Sequence, residues 1–158
     1  MNIRNDKPII GKYGINEEGS DDMYDKGAAI MYMIRFMTND DEKFRLMLRG
    51  LGKDNYHQTV TTQTIEGQIS WHTGLDLTAF FDQYLRTKNI PQLEYTIKNN
   101  ELNYKFNNIV TGFTLPITVT GDDGTAATIK PIAEWQHIPW AAKGDIKVSK
   151  DFLIKVKK

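Results

Sequence analysis

The chain has 158 residues, with 20 basic and 20 acidic side chains, three histidines and no cysteine. Balanced charge gives neither the basic footprint of a nucleic-acid binder nor an acidic tail, and the lack of cysteine excludes disulfides, thiol nucleophiles and thiolate zinc sites. At 40% hydrophobic and 25% charged residues the chain can bury a core, and no apolar run approaches the ~20 residues that span a bilayer.

Residues 1–20 are rich in Gly, Asn and charge and read as a loop, with one short extended piece at 8–10. Twenty structureless residues inside a compact domain are uncommon. The loop is therefore functional, or its packing partners lie in preceding sequence. The start is polar and abrupt, as in an excised piece of a longer chain, and has no apolar signal core. Compartment stays undecided, with export to the periplasm or the cell exterior the favoured reading.

A helix is predicted over 23–37, Met-Tyr-Asp-Lys-Gly-Ala-Ala-Ile-Met-Tyr-Met-Ile-Arg-Phe-Met. Ser20, Asp21 and Asp22 are suitable N-cap types. Gly27, Ile30, Met31, Ile34 and Met37 fall at helical spacing and predict the buried face. Gly27 costs about 1 kcal/mol against Ala inside a helix, and close approach of another backbone there is the expected return. A second helix follows Asn39-Asp40-Asp41, with Phe44, Met47, Leu48 and Leu51 inward and Gly50 and Gly52 ending it. A third is capped at Val60-Thr61-Thr62, carries Ile65, Ile69 and His72, and closes at Gly74. A fourth is capped by Asp76, with Leu77, Phe80, Phe81, Tyr84 and Leu85 inward.

From 90 onward the apolar period changes from 3.6 to 2. Leu93, Tyr95 and Ile97 alternate with polar residues, and after a turn at Asn99-Asn100 so do Leu102, Tyr104 and Phe106. Phe113, Leu115, Ile117 and Val119 follow, then the turn Gly121-Asp122-Asp123-Gly124. Shorter strands are predicted at 127–130, 133–137, 145–148 and 152–155. The fold class is α+β: a helical bundle over 1–90, then a small antiparallel β-sandwich over 91–158.

No pattern of residues declares a reaction. His57, His72 and His137 include no pair four apart, so no helix offers two imidazoles to one metal. His72 reads as a packing or surface residue. Ser20, Ser70 and Ser149 sit in no nucleophile elbow, and Gly11-x-x-Gly14 and Gly50-x-Gly52 lack a phosphate-loop context. Asp21-Asp22 and Asp40-Asp41 read better as helix caps than as acid/base pairs. Trp71, Trp135 and Trp140 read as core or interface anchors. Tyr24 is a rigidly carried phenol at a helix start; phenols ionise near ~10, so such a group is a neutral hydrogen-bond donor at pH 7. It could serve a developing oxyanion or simply pack.

Tyr24-Asp25-Lys26-Gly27, followed by an apolar helix, resembles the Tyr-x-Lys-Gly segment of M1 family zinc aminopeptidases. The run from Gly74 to Leu85, Gly-Leu-Asp-Leu-Thr-Ala-Phe-Phe-Asp-Gln-Tyr-Leu, is similar to that family's Gly-x-Asp-Leu-x-x-Phe-Phe-Asp-Gln-Trp-Leu, with Tyr84 at the Trp position. Asp41-Glu42-Lys43-Phe44, Thr59-Val60-Thr61-Thr62, Ile90-Pro91-x-Leu93-Glu94-Tyr95 and the leader from Asn5 to Gly11 also resemble family segments in the same order. The likeness covers roughly 5–95 and implies that 1–90 is the end of a catalytic domain.

In such enzymes zinc, held by two histidines and a glutamate, activates water, a second glutamate is the base, and a further glutamate holds the substrate amine. The resemblance implies that those residues lie upstream of residue 1. It gives this chain one catalytic residue, Tyr24, as the oxyanion donor, with Tyr13 a second tyrosine ranked below it. Zinc then belongs to the full-length enzyme and not to this chain. The implied partners are a peptide substrate and the upstream catalytic segment, with no nucleic acid and no membrane span. The alternative is a stand-alone, non-catalytic protein-interaction module.

Overall fold

The computed structural model describes residues 3–13 and 19–158. Gly14 and Glu17-Glu18 of the predicted leading loop lie outside the described residues. Among these described residues four helices come first: α1 (Asp22–Thr38), α2 (Asp41–Asp54), α3 (Thr62–Thr73) and α4 (Thr78–Arg86). Seven strands follow: β1 (Gln92–Lys98), β2 (Glu101–Asn107), β3 (Ile117–Thr120), β4 (Ala126–Ile129), β5 (Gln136–Pro139), β6 (Lys147–Val148) and β7 (Lys155–Lys157). The chain is therefore α+β, helical first and β-rich second, and the change of period at 90 falls between α4 and β1. No helix of the described residues is long and apolar enough to cross a membrane.

Local chemistry sets most element boundaries. Asp40 accepts a hydrogen bond from the Lys43 N–H at 2.9 Å and starts α2, and Thr61 accepts from the Thr64 N–H at 3.2 Å and starts α3. Gly74 ends α3 at φ 71°, its N–H donating to the Ser70 carbonyl at 2.8 Å. Asp76 accepts from the Thr78 N–H at 3.1 Å, which holds its carboxyl below the usual range. The predicted end of α2 needs correcting. The helix runs through Gly50 and Gly52 to Asp54. Gly50 serves packing instead: a Cβ there would lie 2.7 Å from the His72 ring of α3.

The buried faces of α3 and α4 follow the predicted spacing. Ile69, Leu77, Phe80, Phe81 and Tyr84 are buried. On α2 only Met47 is fully buried, and Leu48 is exposed. On α1 the buried set is Asp22, Lys26, Ala29, Ile30, Met33 and Ile34, rotated from the predicted face because two charged residues belong to it.

The strands form two sheets, ordered β5-β2-β1-β7 and β4-β3-β6. Asn99 and Asn100 both take positive φ, 52° and 59°. That turn fixes the β1–β2 register, which opposes Tyr95 to Tyr104 and Leu93 to Phe106. All strand pairs are antiparallel except β1–β7, which is parallel. Burial alternates from Phe113 to Val119, although ladder pairing begins only at Ile117.

Residues of α1–α4 and of both sheets share one hydrophobic cluster. Two polar side chains of α4 reach across to the β-rich part. The Tyr84 hydroxyl donates to the Leu153 carbonyl at 3.0 Å, and burial drives its phenol pKa strongly upward. Gln83, with no exposed surface, donates to the Asn89 and Asn108 carbonyls at 2.7 and 3.3 Å and accepts from the Val110 N–H at 2.7 Å.

Candidate functional site

Tyr24 stands in the first turn of α1. The Met23 and Tyr24 N–H groups donate to the Ser20 and Asp21 carbonyls at 3.1 and 3.3 Å. Asp21 makes no capping bond with its side chain. Asp22, expected as a cap, instead lies 2% exposed with its carboxylate turned onto the preceding segment: it accepts from the Arg4 N–H at 2.8 Å and from the Asn5 N–H at 2.5 Å.

One turn later Lys26 is fully buried. Its Nζ donates to Asn5 Oδ1 at 2.8 Å and to the Thr87 carbonyl at 3.3 Å. Burial pulls the ammonium pKa below its ordinary value, and the Asp22 charge opposes that shift. The Asn5 side-chain amide also donates to the Lys88 carbonyl. One asparagine thus joins the leading segment, α1 and the chain leaving α4. It sits at φ 55°, a left-handed conformation that Asn tolerates better than most residues.

The opposite face of α1 is open. Tyr24 is 73% exposed. Gly27, Ala28 and Met31 continue its row at i+3, i+4 and i+7; Ala28 is exposed and Met31 half-buried. A Cβ on Gly27 would meet nothing within 4 Å, so the close approach predicted at Gly27 is not made among the described residues. Gly27→Ala is therefore expected to raise stability by roughly 0.5–1 kcal/mol, through helix propensity and a less flexible unfolded state, as measured by urea unfolding.

The remaining sequence candidates do not converge on Tyr24. The Tyr13 hydroxyl donates to the Pro8 carbonyl, and its ring covers Gly11 and Gly19. His72 Nε2 lies 3.9 Å from Asp54, while His137 is in β5, opposite Asn103. Ser20 Oγ accepts from the Asp22 N–H, and Ser149 Oγ donates to Asp151. Trp140 is buried, whereas Trp71 and Trp135 are 77% and 50% exposed. Among the described residues no group of three or more His, Asp or Glu side chains could hold a metal ion. A groove of about 590 Å³ lies at the other end of α1, lined by Tyr32, Arg35, Phe36 and residues 39–41, but Arg35 is held there by Asp41 at 2.8 Å.

Asn5, Asp22 and Lys26 are not marked as a set by any motif in the sequence. The spacing of Asp22 and Lys26, four apart and in register with Ala29, Ile30 and Met33, was the available signal.

No family model matches the chain, and no curated protein does. Among solved structures, the fold is similar to part of Legionella pneumophila aminopeptidase A, crystallised in complex with aspartic acid. The TM-score is 0.68 and the identity 20% over 88% of this chain. The matched region is 18% of that protein's chain. The likeness, at this identity, is one of fold alone, over 88% of this chain.

Proposed function

We propose that this chain is the carboxy-terminal part of an M1-type zinc aminopeptidase, in which Tyr24 donates a hydrogen bond to the oxyanion of the tetrahedral intermediate. The observation that carries the reading is the placement of Tyr24-Asp25-Lys26-Gly27: the phenol is exposed at an open helix mouth, in a fold that also occurs within an aminopeptidase. The ordered family-like segments from Asn5 to Tyr95 support it.

Among the described residues no group of His, Asp and Glu side chains fits a zinc site. No step is therefore assigned to a metal on these residues. What this chain supplies is a positioned O–H. An oxyanion gains from a donor held in place before the charge develops, since no reorganisation is then needed during the reaction. An open row beside Tyr24, with Gly27 and Ala28 presenting little bulk, leaves room for substrate or for another segment of the polypeptide.

The complete reading frame containing these residues is expected to release the amine from aminoacyl-anilides in a zinc-dependent manner. The 158-residue chain alone is expected neither to turn over nor to bind zinc stoichiometrically. Turnover by the chain alone, or a complete frame without peptidase activity, overturns the proposal.

The second reading, a stand-alone interaction module, is favoured by Trp71 and Tyr56, exposed at 77% and 72%. Exposed aromatic residues are enriched at protein interfaces. It requires a partner protein bound through those side chains and no peptidase activity in the complete reading frame.

A further inference from the structure

Resting on the reading of Tyr24 as an oxyanion donor, we infer that Asn5, Asp22 and Lys26 are positioning residues: together they fix the first turn of α1 and so aim the Tyr24 phenol. The first turn of a helix lacks half of its intrahelical bonds and is where helices fray. Here Asp21 provides no side-chain cap, and Ser20 Oγ takes only the Asp22 N–H, at 3.2 Å. The replacement comes from the side of the helix.

Asp22 and Lys26 stand two residues before and two after Tyr24, about 200° around the helix from it. Both are buried, while Tyr24 is open. The Asp22 carboxylate takes two backbone N–H donors from Arg4 and Asn5. The Lys26 ammonium takes the Asn5 amide oxygen and the Thr87 carbonyl. Through Asn5 the same network reaches the Lys88 carbonyl, and the Ile10 N–H bonds the Leu85 carbonyl at 2.8 Å alongside it. The first turn is thus tied to two separate stretches of chain on one face, and its other face is left clear for Tyr24.

Buried charges are a poor source of stability compared with apolar packing, but the hydrogen-bond geometry they require is demanding. That suits a role in orientation. Misplacing a catalytic donor by about 1 Å costs on the order of 10²-fold in rate.

The test is a double-mutant cycle in the full-length peptidase, with Lys26→Met, Tyr24→Phe and the double variant. Lys26→Met is expected to lower kcat about 10- to 100-fold with KM nearly unchanged, and to have about twofold effect or less once Tyr24 is already Phe. Equal loss in both backgrounds overturns the inference, because Lys26 would then act independently of Tyr24. A Tyr24→Phe variant with unchanged kcat instead overturns the functional reading, and is recognised by that single variant.

Asn5→Gly covers the case in which Lys26→Met does not fold, since it removes the bridging amide while keeping the positive φ accessible. In the 158-residue chain, backbone amide relaxation at residues 23–25 should show increased motion in Asn5→Gly, with Ile34 and Phe80 unaltered. Unchanged order at 23–25 overturns the inference whatever the kinetics show.

Discussion

Replacing Gln83 with Leu is expected to lower the unfolding free energy by roughly 2–4 kcal/mol, in the absence of any change to the surface or to Tyr24. Gln83 is fully buried and makes three hydrogen bonds to backbone groups of Asn89, Asn108 and Val110. Leu fills nearly the same volume and keeps the apolar contacts, so the loss is polar. Each ordinary hydrogen bond contributes about 1 kcal/mol net, and a donor left without a partner away from water costs about 1–3 kcal/mol. Water can reach the carbonyls of Asn89 and Asn108, which are exposed residues; the Val110 N–H, in a half-buried residue, loses more. For a chain of this size the change corresponds to a fall in Tm of about 5–15 °C, measurable by calorimetry. Gln83→Glu should not rescue it, because a carboxylate restores the acceptor but presents no donor to the two carbonyls. A Leu variant within 1 kcal/mol of the parent in urea unfolding would show that the helix-to-strand junction is held by packing alone.

The same residue shows which parts of the fold can be read from sequence. Turn and cap chemistry is local, and it placed Asp40, Thr61, Gly74 and the Asn99-Asn100 turn where the structure has them. Period is also local: the spacing of Leu77, Phe80, Phe81 and Tyr84 predicted their burial, and alternation predicted β1 and β2. Gln83 sits among these apolar residues with nothing local to mark it, because its three partners lie 6 to 27 residues away. The parallel pairing of β7 with β1 is illegible for the same reason. It joins a three-residue strand to one more than 60 residues earlier, a contact that depends on the whole tertiary arrangement. Gly50 was misread because glycine ends helices and also admits neighbours, and only the position of His72 distinguishes the two uses.

At the candidate site the limit was electrostatic. Lysine and aspartate are almost never fully buried unless paired, so residue type alone puts Asp22 among the caps and gives no sign that Lys26 is buried. The pair becomes visible once both are laid on one helical stripe with Ala29, Ile30 and Met33. Its third member, Asn5, lies 17 residues before Asp22, and no pattern in the sequence connects them. Tyr24 itself was singled out by its position at a helix mouth and by the resemblance of Tyr24-Asp25-Lys26-Gly27 to a family segment. The structure leaves it 73% exposed, outside the chain's own core.

In the complete peptidase required by the proposal, Tyr24→Phe is expected to lower kcat by about 10²–10³-fold, the range for loss of one oxyanion donor. The substitution removes a single oxygen from a side chain that is 73% exposed, so the ring's packing and the fold are retained, and Tm should move by no more than about 2 °C. KM should change little. The phenol is proposed to bond an oxygen whose charge develops in the transition state, and an interaction made only there affects kcat and kcat/KM alike. Zinc content of the complete enzyme should be unaltered, because no part of the change touches a metal-ligating residue. Two contrasting results would reassign Tyr24. A raised KM with unchanged kcat would make it a substrate-binding contact. A fall in Tm together with unchanged kinetics would make it a packing residue.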